Sequence, residues 1–282
     1  MKFTKMHGIG NDYILIDARE MERDWSKLAV AMCDRHFGVG SDGILLVEPS
    51  TVADYKMRVV NPDGSEAESS GNGIRMFTKY VVDRGMVPSE SEEVRVETLG
   101  GVHTVNVFKE KGRVTSLRAN MGRPHLRPRE IPVALDADVD AVKDHPIEVN
   151  GRSLPVTCIS MGNPHAVLFL DEPVDRFPLS EIGPKVEHHP FFPNRVNFQV
   201  VNIVDRRHAR VRVWERGVGE TLASGTSACA VTVASRLHDV VDSPLEVTLP
   251  GGTLSIEWDG EGEVYLSGPA EFVFTGEWEE GG

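Results

Sequence analysis

The chain has 282 residues, 40% of them apolar, which is enough for a hydrophobic core without a disulfide or metal staple. Its net charge of −13 at pH 7 argues against nucleic-acid binding, which needs clustered cations, and weakly against anionic membranes. The sequence has no apolar run of about 18 residues and no signal-peptide core, and its three widely spaced cysteines do not suggest a disulfide framework. We therefore expect a cytoplasmic protein that binds neither nucleic acid nor membrane.

Each half of the sequence contains the same predicted elements in the same order. A strand–turn–strand comes first, followed by a polar helix, a β-rich run, a serine-glycine pair that opens an apolar helix, and a hairpin. In the first half, the strand–turn–strand lies at 2–17, the polar helix ends near His36, and the β-rich run is Tyr55–Val60. The apolar helix runs from Ser70 to about Arg84, and the hairpin lies at 94–107. In the second half, the strand–turn–strand lies at 155–170, the polar helix ends near His188, and the β-rich run is His208–Trp214. The apolar helix runs from Ser224 to about His238, and the hairpin lies at 245–258.

The spacing of these elements indicates an internal duplication. The turns at Gly10 and Gly162 are 152 residues apart, and Ser70 and Ser224 are 154 apart. We predict an α+β fold with two pseudo-symmetric halves, each a curved and mostly antiparallel sheet around a central helix, with the active site between them. The halves are expected at 1–123 and 124–269, with a last strand in 270–282 returning to the first half.

Both glycine-rich helix starts, Ser70-Gly71-Asn72-Gly73 and Ser224-Gly225-Thr226-Ser227, suit an anionic ligand. A helix N-terminus offers unpaired N–H groups and a partial positive charge, and glycine lets a carboxylate or phosphate approach. Their spacing does not match a dinucleotide or P-loop motif. Either serine alone also satisfies the ordinary N-cap preference. Two equivalent serines related by an approximate two-fold axis could address opposite faces of one substrate carbon.

Other polar residues in the repeated plan have two interpretations. They can be ordinary turn formers or ligand-binding groups, and they are Asn11, Asn61, Asn163, Asn197, Glu215 and Arg216. His165 could act as a general acid or base, donate to substrate, or be structural. His188-His189 lacks partners at metal-ligand spacing, so we expect no metal site.

The sequence resembles the diaminopimelate epimerase family over nearly its whole length. The segments that carry this resemblance are KMHGIGNDYILID, RHFGVGSDGILLVE, NPDGSEAESSGNGIR, SMGNPHAV, HPFFPNRVNFQVV and WERGVGETLASGTSACA. It implies a cofactor-independent isomerase of lysine and peptidoglycan synthesis, which interconverts LL- and meso-diaminopimelate without PLP. The expected partner is thus a small amino dicarboxylate. The family often pairs through its halves, so a homodimer is compatible with the resemblance.

The resemblance also assigns site residues. In the family, two cysteines act as a thiolate–thiol pair across the substrate α-carbon, and Ser70 and Ser224 occupy their positions here. His165 and Glu215 would flank the reacting centre. The substrate would be held by Asn11, Asn61, Asn163, Asn197, Glu215 and Arg216, with its reacting carboxylate on backbone N–H groups around Gly71-Asn72 and Gly225-Thr226. Ser69 and Ser227 also depart from the expected residues, methionine and glycine.

The double serine leaves three interpretations open. A hydroxyl is a far weaker acid than a thiol, and serine reacts only when a base takes its proton. The chain could be an epimerase scaffold that binds substrate but is slow or inactive. It could instead be a divergent isomerase of a related amino acid that uses another base, such as His165, as the related phenazine-type isomerases use a carboxylate. Finally, it could be a non-catalytic amino-dicarboxylate binder.

Overall fold

The protein is described by a computed structural model that covers residues 1–68 and 70–279. Ser69 and residues 280–282, the end of the last predicted strand, lie outside the described residues. The chain forms two compact units: unit 1 comprises Met1–Asn120 and Ser267–Gly282, and unit 2 comprises Met121–Leu266.

Unit 1 is a mixed sheet packed against one long helix. Its elements are β1 (Lys2–Gly8), β2 (Asn11–Asp17), α1 (Trp25–Cys33), β3 (Ile44–Glu48), β4 (Tyr55–Val60), β5 (Glu66–Ala67), α2 (Gly71–Asp83), β6 (Glu93–Thr98), β7 (Gly101–Glu110), β8 (Arg113–Asn120) and β18 (Glu271–Glu277). The strands lie in the order β18–β1–β2–β3–β4–β6–β7–β8, with β5 beside β4. Neighbours are antiparallel except β2–β3 and β4–β6, which are parallel.

Unit 2 has the same architecture. Its elements are β9 (Val142–Val149), β10 (Arg152–Ser160), β11 (Pro164–Phe169), a 3-10 turn (Val174–Arg176), α3 (Leu179–Glu187), β12 (Asn197–Asp205), β13 (His208–Glu215), β14 (Gly219–Thr221), α4 (Gly225–Leu237), β15 (Leu245–Leu249) and β16 (Gly252–Glu257). Strand β17 (Tyr265–Gly268) begins in unit 2 and ends in unit 1. The strands lie in the order β9–β10–β11–β12–β13–β15–β16, with β14 beside β13. The parallel pairs, β11–β12 and β13–β15, recur at the same places in this order.

The repetition extends to backbone angles at the helix starts. The N-cap Ser70 has φ −143° and ψ 118°, and the N-cap Ser224 has φ −147° and ψ 115°. Both helices that follow are 13 residues long. Gly85 (φ 67°) and Asp239 (φ 55°) follow the two helices in the same left-handed conformation. The predicted α+β class and the two predicted apolar helices are confirmed.

Both long helices are buried on almost every side. α2 packs against β1, β2, β3, β4, β6 and β8, and α4 packs against β10, β11, β12, β15 and β16. A helix buried all round must satisfy its polar side chains internally. In α4, the hydroxyls of Thr232 and Ser235 donate to the carbonyls of Ala228 and Val231 one turn earlier.

Two local features differ from the sequence-based expectation. Helix α1 ends at Cys33 rather than near His36 because Asp34 Oδ1 accepts from the N–H groups of His36 and Phe37 and forms a turn there. Strand β9 begins at Val142 in the Pro- and Asp-rich stretch 124–147, where the sequence predicts no element. No helix in the described ranges is long and apolar enough to span a membrane.

We expect Val81→Ala in α2 and Val233→Ala in α4 each to lower the free energy of unfolding by about 2 kcal/mol. Both side chains are fully buried, and each substitution removes two methyl groups and leaves a cavity. The same substitution at Val30 of α1, which is 51% exposed, serves as the control and should change stability by less than about 0.5 kcal/mol. Urea unfolding measures all three, and equal losses would contradict the central position of α2 and α4.

Candidate active site

The start of α2 in unit 1 is built around the Ser70 hydroxyl. Ser70 Oγ accepts from the N–H of Gly73 at 3.0 Å, the standard N-cap interaction. It also accepts from the Tyr13 hydroxyl at 3.3 Å. With its lone pairs engaged by two donors, the Ser70 hydroxyl keeps its own proton available to donate. Gly73 is needed here because a Cβ would lie 2.9 Å from Ser70 Cβ.

A chain of side-chain amides runs from α2 to the β1–β2 turn. Arg75, fully buried, donates to Asn72 Oδ1 at 2.9 Å, and Asn72 Nδ2 donates to Asn11 Oδ1 at 3.1 Å. Asn11 Nδ2 donates in turn to Asp42 Oδ2 at 2.7 Å. Asn11 and Asn72, both predicted ligands, therefore lie together with the helix start, and neighbours fix the orientation of the Asn11 carboxamide.

An ion cluster joins this amide chain at Asp42. Asp12 forms an ion pair with the buried Lys5 and accepts from Arg35 Nη2 at 2.7 Å; Arg35 also contacts Asp42 at 2.7 Å. Burial would raise the pKa of the Asp12 carboxyl, but hydrogen bonds from Arg35 and Lys5 outweigh it and hold that pKa below its ordinary value. The cluster thus anchors both Asp42 and the turn that carries Asn11.

Asn61 sits in a turn of its own. Its Nδ2 donates to Ser65 Oγ at 3.0 Å, and its backbone N–H donates to the Ser65 carbonyl at 2.8 Å. Asp63 Oδ1 accepts from both the N–H and the hydroxyl of Ser65. These contacts are those of a turn former, and none of them joins Asn61 to Ser70 or Asn11.

The start of α4 in unit 2 uses its serine differently. Ser224 makes no cap interaction; its Oγ donates instead to Glu215 Oε2 at 3.2 Å. Glu215 Oε1 accepts from Thr221 Oγ1 at 2.6 Å. Within the described part of the chain, no side chain or loop carbonyl accepts from the N–H groups of Gly225 and Thr226. These N–H groups and the lone pairs of Ser224 are therefore available to a ligand.

His165 lies near the start of β11, two residues after Asn163, just as Tyr13 lies in β2 two residues after Asn11. It is fully buried, and its Nε2 is 2.8 Å from Asn163 Oδ1. Burial, reinforced by the charge of Arg216, lowers the pKa of His165 to about 3. A ring that stays neutral across the physiological range and is turned toward Asn163 is poorly suited to carry protons. The contacts favour the structural interpretation of His165.

Asn197 links two turns of unit 2. Its Oδ1 accepts from the Arg216 N–H at 2.9 Å, and its Nδ2 donates to the Pro164 carbonyl at 3.2 Å. The Arg216 side chain donates to the Asn194 carbonyl at 2.9 Å. Glu187, almost fully buried, accepts from the Gly217 N–H and holds the same turn. Asn197 thus positions the segments that carry Asn163 and Glu215.

Sequence reasoning missed several residues that contact the predicted ones. They are Tyr13 at Ser70, Asp42 at Asn11, Thr221 at Glu215, and Gln199 at His165. The duplication could have indicated Tyr13, which follows Asn11 by two residues as His165 follows Asn163. Across residues 1–68 and 70–279, no three His, Cys, Asp or Glu side chains are grouped to hold a metal ion.

Proteins named diaminopimelate epimerase are similar to this chain over nearly its whole length. The profile of the family described as diaminopimelate epimerase matches residues 3–126 and 157–273. A diaminopimelate epimerase of Acetivibrio thermocellus is 50% identical over 279 residues, which cover 98% of each chain. One of Moorella thermoacetica is 47% identical over 280 residues, covering 98% of this chain and 99% of the relative. The chain belongs to the diaminopimelate epimerase family.

Solved structures with low sequence identity share the fold of this chain. A hydroxyproline epimerase from Agrobacterium vitis matches with a TM-score of 0.71 at 15% identity, covering 98% of this chain and 91% of that one. A PhzF-family phenazine biosynthesis protein from Bacillus anthracis matches with a TM-score of 0.69 at 17% identity, covering 99% of both. At such low identity these matches show a common fold.

We expect Asp12→Asn to lower the free energy of unfolding by about 3 kcal/mol at pH 7, because it leaves the buried Lys5 ammonium without its counter-charge. The pKa of Asp12 is depressed in the folded state, so its stabilisation is complete above the unfolded value of about 3.9 and is lost as the pH falls through the folded value. The difference between wild type and variant should therefore shrink from pH 7 to pH 3 in urea unfolding. The exposed Asp136→Asn is the control. An equal difference at both pH values would contradict this role of Asp12.

Proposed function

We propose that this chain interconverts LL- and meso-diaminopimelate in the synthesis of lysine and peptidoglycan precursors, without PLP and at a low rate. One observation carries the proposal. In each unit a serine of the same backbone geometry stands at the N-cap position of the central helix, and each serine hydroxyl has its own hydrogen-bond partner for proton transfer. The whole-length relatives named diaminopimelate epimerase support the choice of substrate.

In this proposal the hydrogen-bond donors at the two helix starts bind the substrate. The backbone N–H groups around Gly71-Asn72 and Gly225-Thr226 suit carboxylate oxygens, since a helix N-terminus favours negative charge by about 0.3–1 kcal/mol or more. On the same proposal, the amides of Asn11 and Asn163 contact substrate. Asn61, Asn197 and Arg216 have contacts that favour a role in holding the surrounding turns.

Removal of the α-proton suits the arrangement in unit 2. The Ser224 hydroxyl already points its proton at Glu215. As the α-proton moves to Ser224 Oγ, the hydroxyl proton moves to Glu215 Oε2, which leaves the α-carbon with the electron pair and Glu215 as a neutral acid. Serine then needs no free alkoxide, because a base takes its proton in the same step.

Return of a proton suits the arrangement in unit 1. Ser70 Oγ accepts from Tyr13 and from Gly73, so its own proton is the one left to give. As that proton moves to the α-carbon, the Tyr13 hydroxyl proton replaces it on Ser70 and leaves a phenolate. Exchange with solvent then restores Tyr13 and Glu215.

Both steps are slower than with thiols. Near a helix N-terminus an anion gains at most about 2 kcal/mol, far too little to ionise a serine hydroxyl at neutral pH. A cysteine thiol starts near a pKa of about 8.5 and is easily brought below it. The serine pair therefore limits the rate of proton transfer and leaves the binding groups in place.

We expect slow α-deuterium incorporation and slow formation of the meso isomer when the protein is incubated with LL-diaminopimelate in deuterated water. Replacing both serines, as Ser70→Cys with Ser224→Cys, should raise the exchange rate at least about 100-fold, since each 1.4 kcal/mol recovered in the barrier is worth tenfold. Mass spectrometry and chiral chromatography measure the two products.

The exposed Ser89→Cys is the matched control, because it adds a thiol away from either helix start and should leave the rate unchanged. Binding without exchange in both proteins would favour a non-catalytic amino-dicarboxylate binder over an epimerase. Absence of binding in both would overturn the substrate assignment.

We also propose a cytoplasmic location and a homodimer. Cys33, Cys158 and Cys229 are free thiols, as suits a reducing compartment. The consecutive apolar residues 272–274 on β18 are exposed, which suits a protein contact. Sedimentation velocity measures the oligomeric state directly.

A further inference from the structure

A row of four polar side chains in unit 2 leads from the first turn of α4 to Asn163. Gln199 Nε2 is 3.0 Å from Ser227 Oγ and 3.0 Å from His165 Nδ1, and His165 Nε2 is 2.8 Å from Asn163 Oδ1. Ser227, Gln199 and His165 are fully buried, whereas Asn163 is only partly buried. The row therefore connects an interior position to a residue that can meet a ligand.

The orientation of the Gln199 carboxamide is decided by its burial. As placed, both of its N–H groups have acceptors, and only Oε1 lacks a hydrogen-bond partner among the described residues. The reversed amide would leave two buried N–H donors unmet instead of one carbonyl oxygen. Unmet buried N–H groups are rarer than under-satisfied carbonyls, so the observed orientation is favoured.

This orientation fixes the proton on His165. Because Gln199 donates to Nδ1, that nitrogen must be an acceptor, and the ring proton lies on Nε2. Nε2–H then donates to Asn163 Oδ1. The oxygen of Asn163 is turned inward, and its Nδ2 group is the part of the carboxamide left for a ligand.

We propose that Gln199 and Ser227 hold His165 as the neutral Nε2–H tautomer and thereby make Asn163 a hydrogen-bond donor that selects a carboxylate oxygen of the substrate. Gln199, Ser227 and His165 are positioning residues in this scheme, acting through Asn163. The substrate part of the proposal rests on the proposed function, but the tautomer does not.

Two further observations support the scheme. Ser227 stands where the resemblance predicts glycine, and its hydroxyl accepts the second N–H of Gln199, which would otherwise be buried without an acceptor. Protonation of His165 would place Nδ1–H against the Gln199 amide donor. The positive charge of Arg216 also opposes protonation of the ring.

The tautomer can be measured by long-range 1H–15N correlation spectra of the protein labelled with 15N-histidine, with His165 assigned through His165→Gln. We expect Nε2 protonated and Nδ1 unprotonated, unchanged from pH 8 to pH 5. Nδ1 protonated in wild type, or titration of the ring in this range, would overturn the proposal.

Gln199→Glu tests the row by removing the hydrogen-bond donor to His165 Nδ1. At pH 8 its carboxylate accepts rather than donates, so Nδ1 should acquire a proton and the affinity for LL-diaminopimelate should fall at least tenfold. Thr232→Val, which removes a buried hydroxyl of α4 away from the row, is the matched control and should leave both readouts unchanged.

The readouts separate the two proposals. If Gln199→Glu leaves Nδ1 unprotonated, Gln199 does not set the tautomer of His165, whatever the affinity for diaminopimelate. If the tautomer reverses but the affinity for diaminopimelate does not change, Asn163 does not donate a hydrogen bond to the substrate carboxylate. If wild type shows the expected tautomer yet does not bind diaminopimelate at all, the proposed function fails while the tautomer assignment stands. Should Gln199→Glu not fold, the wild-type spectra alone decide the tautomer.

Discussion

The need of a helix N-terminus for hydrogen-bond acceptors governs the chemistry of this protein. α2 and α4 begin with N-cap serines of nearly the same backbone conformation, in the interior of sheets with the same strand order. At α2 the Ser70 hydroxyl satisfies one of the free N–H groups by accepting from Gly73. At α4 the Ser224 hydroxyl is committed to Glu215, so the first N–H groups of that helix are left for a ligand. A duplicated fold thus gives two hydroxyls with opposite hydrogen-bonding roles.

These roles matter because serine cannot use the chemistry of a thiol pair. A helix N-terminus stabilises an anion by about 2 kcal/mol at most, and ionising a hydroxyl at neutral pH requires far more. Any proton transfer through these serines therefore depends on a neighbour that takes or supplies the proton, and Glu215 and Tyr13 are placed to do so. The Asp12 cluster in unit 1 and the row that contains Gln199 in unit 2 each contact side-chain amides of their own unit.

Much of the fold could be predicted from signals that lie close together in the sequence. The bounds of α2 and α4 follow from a serine, a glycine and an apolar period within a few residues, and all of these lie close together in the chain. The parallel pairs β2–β3 and β11–β12 could not be predicted, since strand pairing depends on distant segments. The same holds for site contacts. Tyr13 and Ser70 are 57 residues apart, and the donor and acceptor roles of the two His165 nitrogens depend on Gln199, 34 residues away. The burial that makes His165 a poor base is a property of the folded sheet.

The central claim is that this chain keeps the binding groups of a diaminopimelate epimerase and has lost only its rate of proton transfer. Calorimetric titration of LL-diaminopimelate into wild type and into the Ser70→Cys, Ser224→Cys protein tests it most directly. We expect dissociation constants that agree within about threefold, which corresponds to a difference of about 0.7 kcal/mol in the free energy of binding. Measurable binding to the cysteine protein alone, with none to wild type, would contradict the claim and place the difference in substrate recognition.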